Sequence, residues 1–356
     1  MARLEVDGLR FKGNLTVRDR EIRVGVIGAG KIGSYHIRNL AQRISNTRVV
    51  AVMDVDQANA DAIIAECHGS KSFTSADTLI TNPDVDAVII TAPDQTHAEL
   101  TLACLKANKP VLCEKPLATN VEDAERVFQA EIVTGRRLVQ VGFMREFDPP
   151  HSKVKHAIAE GEIGQPLLFR GTHYNTSFGY DRHIDEVIVN SAIHDIHSAR
   201  WLMDEEISSV YVQSVASDVS KTNTCRLLVI HLTFRNGSLG LIEVNSDSGY
   251  GYEVNVEITG ELGQIRTTTL SNPIVRRSGN RRQSIETSWL ARFDAAYLSE
   301  MQSWSQAVAT GGFGGPTAWD GYVSLVVANS CKRSFQTGQP ETVPIVNRPE
   351  FYSYQR

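Results

Sequence analysis

Short apolar runs alternate with amphipathic stretches over the first 145 residues of the chain. Brief apolar runs are typical of buried strands, and apolar positions spaced three and four apart are typical of helices. Strands predicted in this way cover residues 24–27, 49–53, 85–90, 111–113 and 138–141, with helices from 31, from 57, near 97–107 and over 121–134. This alternation predicts a parallel sheet covered by helices.

The pattern changes after Pro149-Pro150, where apolar and polar residues begin to alternate one by one. A period of two is typical of strands with one buried face. Such strands cover residues 167–174, 210–217, 227–234, 239–245, 254–259 and 264–269, with a tight turn at 235–237 and helices up to 160, over 191–203, near 295–310 and over 321–337. The second part is therefore predicted to be α+β, with a large, mostly antiparallel open sheet.

A chain of 356 residues is longer than one hydrophobic core usually serves. We expect an extension over residues 1–21, a doubly wound α/β domain over 22–145, and an α+β domain over 146–356. Turn-forming pairs in the extension, Asp7-Gly8 and Gly13-Asn14, allow a small strand or hairpin there.

Charge and composition narrow the class of partner. The 36 basic and 41 acidic residues give a net charge of -5, and neither sign forms a long run, so no nucleic-acid partner is expected. The apolar runs are too short to cross a membrane and the first residues do not resemble a signal peptide, so we expect a cytoplasmic protein. Five cysteines without a Cys-x-x-Cys pair predict neither a disulfide framework nor a zinc site.

The segment Gly28-Ala29-Gly30-Lys31-Ile32-Gly33 lies between a predicted strand and a predicted helix. In this position the first glycine allows a tight turn, the second lets the backbone approach a pyrophosphate, and the third lets the helix pack closely on the strand. The free N–H groups of the helix N-terminus also attract the anion. The motif alone is weak evidence, since glycine-rich turns are common.

Asp54 ends the second predicted strand, where a carboxylate can accept hydrogen bonds from both hydroxyls of an adenosine ribose. The same carboxylate would repel a 2'-phosphate, so NAD is favoured over NADP. A solvated strand end is the alternative interpretation of Asp54.

Glu114-Lys115-Pro116 follows the predicted strand 111–113, and open parallel sheets bind ligands at such carboxyl ends. Alone, this tripeptide is more often a salt-bridging surface turn. Together with the glycine motif, with Thr91-Ala92-Pro93 and His97, and with the α+β second part, it resembles the signature of the Gfo/Idh/MocA oxidoreductase family. The resemblance extends from about residue 23 to the final helix.

This resemblance implies an N-terminal Rossmann domain with NAD as its cofactor. The cofactor-binding residues that it implies are Gly28, Gly30, Lys31, Ile32, Gly33, Asp54, Thr91, Ala92, Pro93, His97, Glu114 and Lys115.

Within the family the likeness is to enzymes that oxidise inositols, and it rests on five further segments. These are 142–145 (GFMR), 173–175 (HYN), 191–197 (SAIHDIH), 249–252 (GYGY) and 316–321 (PTAWDG). The implied substrate-binding residues are Lys115, Arg145, His173, Asn175, Asn190, His194 and Tyr252. The implied substrate is a small polyol, and NAD-dependent oxidation of one secondary ring hydroxyl of a cyclitol, such as myo-inositol, to the ketone is the leading hypothesis.

Such an oxidation requires removal of the hydroxyl proton while hydride leaves the same carbon, so a base must contact the hydroxyl. His194 suits this role. A cation nearby stabilises developing alkoxide charge, and the ammonium of Lys115 suits that role.

The chain departs from the family four residues before the histidine, where Asn190 replaces an acid. An amide can hold the imidazole or a substrate hydroxyl, but it cannot relay a proton. We therefore expect either an altered pH dependence or a substrate other than myo-inositol. Asp195 and Asp185 are near in sequence, but a shift of one residue turns a helical side chain about a quarter-circle away.

His183, His194 and His197 are not interpreted as metal ligands, because no cysteine and no second spaced cluster completes a site, so no metal is expected. Phe293, Tyr297 and Trp304 are interpreted as helix-face packing or a subunit contact.

Two alternatives remain open. One is a dehydrogenase or ketoreductase acting on another sugar, an aminocyclitol precursor or a glycoside, which Asn190 motivates. The other is a non-catalytic NAD-binding regulator, which we would expect to have lost Lys115 or His194. The family resemblance also implies a homo-oligomer, either a dimer or a tetramer.

Overall fold

The computed structural model describes residues 21–67, 69–177, 179–221, 223–267, 272–345 and 347–353. Within these ranges the chain forms a six-stranded sheet, a seven-stranded sheet and a two-stranded hairpin. The strand or hairpin predicted before residue 21 lies outside the described residues. In the part of the chain that is described, no helix has both the length and the apolarity needed to cross a bilayer.

The six-stranded sheet comes from the first part of the chain. Its strands are β1 (Ile22–Ile27), β2 (Thr47–Met53), β3 (Lys71–Phe73), β4 (Ala87–Ile90), β5 (Val111–Glu114) and β6 (Val139–Gly142). All neighbours pair in parallel, in the order β3-β2-β1-β4-β5-β6. This is the doubly wound order of dinucleotide-binding sheets, which bind ligands at the carboxyl ends where the order reverses, between β1 and β4.

Five helices connect these strands: α1 (Lys31–Gln42), α2 (Gln57–Ile64), α3 (Ala76–Thr81), α4 (His97–Lys106) and α5 (Val121–Thr134). Their ends follow local chemistry. The side chain of Asn120 accepts the backbone N–H of Asp123 at the start of α5, and Gly135 ends that helix in the left-handed conformation with φ 67°.

The seven-stranded sheet comes from the second part. Its strands are β7 (Pro166–Tyr174), β8 (Ile207–Val215), β9 (Leu227–Phe234), β10 (Leu239–Asn245), β11 (Glu253–Gly260) and β12 (Gln264–Arg266); after a hairpin of β13 (Ile274–Arg277) and β14 (Asn280–Gln283), β15 (Glu341–Thr342) joins its edge. The order is β12-β11-β7-β10-β9-β8-β15. Burial alternates along β9 and β11, as expected for a sheet with one covered face.

The helices of the second part are α6 (Pro149–Ala159), α7 (Ile184–Val187), α8 (Ile193–Met203), α9 (Trp289–Arg292), α10 (Asp294–Thr310) and α11 (Ala318–Thr337). Helix α8 packs on β7, and α11 packs on β8. The predicted α+β second part with its open sheet is therefore confirmed.

The structure differs from the predicted elements in several places. The short strands β3, β13, β14 and β15 and the short helices α3, α7 and α9 were not predicted, because segments this short show no periodicity. Strand β10 pairs in parallel with β7, whereas an antiparallel sheet was expected here. The predicted strand 264–269 ends at Arg266 as far as it is described.

The last long helix ties the second part of the chain to the first sheet. The hydroxyl of Thr317 accepts the backbone N–H of Asp320, and the Asp320 carboxylate accepts the N–H of Thr317, which closes a capping box at the start of α11. Just before it, the carbonyl of Pro316 accepts the N–H of Val141 on β6 at 2.9 Å. Both sheets are thus held around one cleft.

Candidate active site

A cavity of about 410 Å³ lies where the carboxyl ends of β4 and β5 meet the start of α8. It is lined by Gly30, Lys31, Ile32, Thr91, Ala92, Asp94, His97, Glu114, Lys115, Met144, His173, Asn175, Arg182, Glu186, Asn190, Ser191, His194, Tyr252, Trp289 and Tyr297. The cavity thus brings the glycine turn, the Glu-Lys-Pro segment and the histidine helix together, although they are far apart in sequence.

The three glycines of the turn have three different environments. Gly28 has φ +100°, a conformation that side chains disfavour. A Cβ on Gly33 would lie 2.0 Å from the carbonyl oxygen of Gly28, so only glycine allows α1 to start this close to β1. A Cβ on Gly30 would meet nothing within 4 Å, and Gly30 faces the cavity. Open space over exposed backbone N–H groups is the cradle that a pyrophosphate requires.

Asp54 lies at the end of β2, beside the glycine turn. Its Oδ2 accepts the backbone N–H of Ala29 at 2.7 Å, and its Oδ1 accepts the N–H of Asp56 at 2.9 Å. Asp54 is therefore held by the turn rather than free in solvent, and it stands outside the lining of the cavity. The residues present fit a dinucleotide with unphosphorylated ribose hydroxyls.

His97 ties two of the loops together. Its buried ring places Nδ1 2.7 Å from the carbonyl oxygen of Pro116 and Nε2 2.8 Å from that of Ala92. Burial lowers the pKa of His97, but the neighbouring Cys113 and the two carbonyls outweigh it and raise the pKa to about 10. The ring can thus donate at both nitrogens, which fixes the loop after β4 against the residue that follows Lys115.

The side chains of Glu114 and Lys115 point in different directions. Glu114 Oε1 lies 2.8 Å from Nε2 of the buried His36, so the carboxylate is anchored within the first domain. Lys115 Nζ donates to the carbonyl oxygen of Asn190 at 3.3 Å, across the cleft. Burial lowers the pKa of Lys115, and the charge of Glu114 opposes this effect.

Asn190 and His194 lie where the backbone changes its winding. Residues Ile188–Ala192 form a π-helical turn, and α8 continues from Ile193. The sequence predicted an ordinary helix over 191–203; single π turns are frequent at functional sites. Both residues line the cavity.

His194 is buried, and its Nδ1 has no hydrogen-bond partner among the described residues. Its ring meets that of Phe143 edge to face, with the centroids 5.9 Å apart. Burial lowers the pKa of His194 well below its usual value, and the charges of Lys115 and Arg145 lower it further. The imidazole is therefore neutral at neutral pH, which is the form that can accept a proton.

Besides Lys115, Asn190 and His194, four more residues were expected to contact the substrate, and the structure separates one of them from the others. His173, Asn175 and Tyr252 line the cavity. Arg145 does not: its guanidinium donates to Asp195, and its Nη2 lies 3.0 Å from His173 Nδ1, one layer behind the wall. Asp195 was set aside at the sequence level, yet it is fully buried between these two side chains.

Sequence reasoning missed several residues that line the cavity. Trp289 and Tyr297, from α9 and α10, reach its wall, although Tyr297 was expected only to pack or to contact a subunit. Arg182 and Glu186 also line it and form an ion pair at 2.8 Å. No sequence motif identifies these four positions. For the two aromatic residues, the spacing along a helix is the same whether the side chain faces a core or a cavity.

His197 does not line the cavity. Its ring stacks on Phe143 at 4.1 Å, and its Nε2 lies 2.9 Å from a carboxylate oxygen of Glu146. Within the described ranges, no group of three or more histidine, cysteine or acidic side chains could hold a metal ion.

The doubly wound sheet, the cradle at Gly30, and a neutral imidazole beside a lysine define a class of protein: an oxidoreductase that uses a nicotinamide dinucleotide. Two family models match the chain. One, described as an oxidoreductase family with an NAD-binding Rossmann fold, covers residues 22–143, and the other, the C-terminal alpha/beta domain of an oxidoreductase family, covers 155–345. The chain belongs to the Gfo/Idh/MocA oxidoreductase family. It is an NAD-dependent enzyme that acts on CH–OH groups.

Known relatives cover almost the whole chain. It is 48% identical to an inositol 2-dehydrogenase of Rubrobacter xylanophilus over 93% of the chain and 96% of that relative. It is 39% identical to inositol 2-dehydrogenase 2 of Saccharopolyspora erythraea over 93% of the chain and 98% of that relative. The crystal structure of myo-inositol dehydrogenase from Lactobacillus casei, in complex with NAD(H) and myo-inositol, superposes with a TM-score of 0.89 at 31% identity, over 93% of this chain and 99% of that one.

Proposed function

We propose that this enzyme oxidises one secondary ring hydroxyl of a cyclitol, myo-inositol or an isomer, to the ketone, with NAD as the hydride acceptor. The observation that carries the proposal is a single cavity lined by Gly30, Lys115 and His194. The inositol dehydrogenases among the relatives support the substrate class.

In this proposal His194 removes the hydroxyl proton. Its ring is neutral and forms part of the cavity wall, so a proton acceptor is available there. Lys115, as an ammonium, stabilises the negative charge that develops on the substrate oxygen. Asn190 holds Lys115 through its backbone carbonyl and offers its amide to the substrate.

The cofactor would be held along the carboxyl ends of β1, β2 and β4. Gly30, Lys31 and Ile32 would bind the pyrophosphate, with Gly28 and Gly33 shaping the turn. Asp54 would accept hydrogen bonds from the ribose hydroxyls. The neighbours of the nicotinamide would be Thr91, Ala92, Pro93, His97, Glu114 and Lys115.

The polyol would lie against His173, Asn175 and Tyr252, whose polar groups suit a neutral ring rich in hydroxyls. Arg145 would act indirectly, by holding His173 in place.

The test is turnover with NAD and, separately, NADP against myo-, scyllo- and chiro-inositol, glucose, galactose and xylose, followed by the absorbance of the reduced nicotinamide. NAD-linked oxidation of an inositol is the expected result. Lys115→Met should lower kcat by about 100-fold or more while NAD still binds. The matched control is Lys106→Met, an exposed lysine on α4, which should leave turnover unchanged. A fully active Lys115→Met enzyme would contradict the mechanism.

One observation favours a second candidate. Asn190 lines the cavity where the family has an acid, so the site has lost one charged neighbour of its base. This favours another sugar, an aminocyclitol precursor ketone or a glycoside, with reduction as the working direction. Turnover of a pyranose alone, or reduction of a cyclitol ketone much faster than oxidation, would support this candidate over the first.

A further inference from the structure

A chain of three buried side chains runs from behind the cavity to its wall. Asp195 Oδ2 lies 2.9 Å from His173 Nδ1, and His173 Nε2 lies 3.2 Å from the hydroxyl oxygen of Tyr252. The three residues are only 0%, 3% and 5% exposed, in that order. His173 and Tyr252 line the cavity and Asp195 does not, so Asp195 reaches the site only through His173.

Arg145 also belongs to this cluster, and it competes with Asp195 for a hydrogen bond to Nδ1 of His173. It donates to Asp195 Oδ1, and its Nη2 lies 3.0 Å from the same Nδ1 of His173. The carboxylate can only accept and the guanidinium can only donate. Nδ1 can therefore satisfy one of them: it donates as an N–H to Asp195, or it accepts from Arg145 as a bare nitrogen.

The surroundings favour donation to Asp195. The Asp195 Oδ2 atom lies next to His173 Nδ1, and a buried charged oxygen without a donor is costly. Arg145 already has Oδ1 of Asp195, and its guanidinium carbon also lies 5.9 Å from the ring centroid of Phe293. Burial lowers the pKa of His173, so its ring carries one proton at neutral pH. With that proton on Nδ1, Nε2 is bare.

The state of Nε2 decides what Tyr252 presents to the cavity. Burial raises the pKa of Tyr252 to about 12, although Arg145 lowers it, so the phenol keeps its hydrogen at neutral pH. That hydrogen goes to the bare Nε2 of His173. Arg145 can donate to one lone pair of the hydroxyl oxygen, and the other lone pair remains for a ligand.

We propose that Asp195 is a positioning residue which, acting through His173, makes Tyr252 a hydrogen-bond acceptor for one substrate hydroxyl. The inference rests on the proposed function, because the ligand is taken to be a polyol. It adds a rule for substrate specificity: at the position that faces Tyr252, the substrate must carry a group that can donate a hydrogen bond.

A double-mutant cycle tests the connection between the ends of the chain. Asp195→Asn and Tyr252→Phe should each raise KM for the polyol by about three- to tenfold, the value of one neutral hydrogen bond, with a smaller effect on kcat. Because both changes remove the same contact, the double variant should be no worse than the more affected single variant. Multiplicative effects in the double variant would overturn the proposal.

A second measurement avoids Asp195 variants, which leave Arg145 buried without its counterion and can fail to fold. Deoxyfluoro analogues of the accepted polyol replace each hydroxyl by fluorine, which cannot donate. With the native enzyme, fluorine at one position of the polyol should raise KM by about three- to tenfold. This penalty in KM should be absent in the Tyr252→Phe variant. The control Tyr250→Phe removes an exposed hydroxyl bonded to Glu253 and should keep the penalty. No Tyr252-dependent penalty at any position would overturn the proposal.

A third measurement needs no turnover, so its failure is distinct from failure of the proposed substrate. Nitrogen-15 NMR of histidine-labelled protein reports which ring nitrogen carries the proton, and His173→Gln assigns the signal. The Nδ1–H form is expected in the native protein. The Nε2–H form would overturn the proposal even if cyclitol oxidation is confirmed, and the Nδ1–H form would support it even if the substrate is another sugar.

Discussion

Asn190 lies beside the two groups whose protonation controls the proposed reaction. Its carbonyl oxygen accepts from Lys115, and it shares the cavity wall with His194. An amide carries no charge, so nothing at this position opposes burial, which lowers the pKa of both groups. We therefore expect a pH profile of kcat/KM whose acid limb lies below the ordinary histidine range and whose alkaline limb lies below the ordinary lysine range.

Asn190→Asp should move both limbs to higher pH. A carboxylate here favours the charged forms of His194 and Lys115, and an opposite charge at this range raises such pKa values by about one to three pH units. His194 acts as the neutral base, so activity should be lost at a higher pH on the acid side. Lys115 acts as the ammonium, so activity should persist to a higher pH on the alkaline side.

The measurement is kcat/KM against pH for the native enzyme and the variant, with Asn190→Ser as the uncharged control. The control should keep the native limbs. If both limbs of the pH profile stay in place in Asn190→Asp, then position 190 does not influence the pKa values of the reacting groups.

At the scale of the element, the glycine motif at the start of α1 contains one glycine that serves cofactor binding and another that serves packing. Gly30→Ala should weaken NAD binding by about tenfold, or about 1.4 kcal/mol, because a methyl group would enter the open cradle. The unfolding of the cofactor-free protein should not change. Isothermal calorimetry with NAD and thermal unfolding of the apoprotein measure the two effects separately.

Gly33→Ala should do the opposite. Its Cβ would lie 2.0 Å from the carbonyl oxygen of Gly28, so α1 must move away from β1, and overpacking of this kind costs about 1–3 kcal/mol of unfolding free energy. The apoprotein should therefore unfold at a lower temperature. Equal losses of stability in Gly30→Ala and Gly33→Ala would mean that the two glycines do not have different roles.

At the scale of the whole molecule, the outer face of the seven-stranded sheet carries apolar side chains that no helix covers within the described part of the chain. Leu168, Leu227, Val229 and Leu241 are half-buried, and Leu239 is 53% exposed. Large exposed apolar faces mark protein interfaces. We propose that this face pairs with a second copy of the chain to give a dimer or a tetramer, and that residues 146–356 are both the substrate domain and the oligomerisation domain.

Val229→Lys places a charge in the middle of that face, on β9. Removing the charge of a lysine from water in an interface is unfavourable even though Glu243 lies opposite on β10, so the variant should have a lower molar mass than the native protein by light scattering. Val219→Lys, at a residue that is 96% exposed in a loop, is the control and should leave the mass unchanged. If the Val229→Lys variant has the same molar mass as the native protein, the contact between copies must lie elsewhere on the molecule.

The sequence by itself determined the features that depend on neighbouring residues. Strand and helix periods indicated the doubly wound sheet and the open sheet, because burial repeats with the period of each element. The glycine turn, Glu-Lys-Pro and the histidine helix were recognisable because backbone conformation and reacting groups require particular residue types at fixed spacing. The resemblance of these motifs to those of the family implied the NAD-binding Rossmann domain and the enzyme class, and both are confirmed by the family match.

Only the tertiary structure decided which residues meet across distant segments. It placed Arg145 behind the cavity wall and Tyr297 in it, and it joined Asp195 to His173. Local pattern cannot contain this information, because a buried polar group is satisfied by whichever partner the packing of separate elements supplies. Whether Tyr252 accepts or donates thus depends on contacts between residues far apart in the chain, and that is a property of the folded molecule alone.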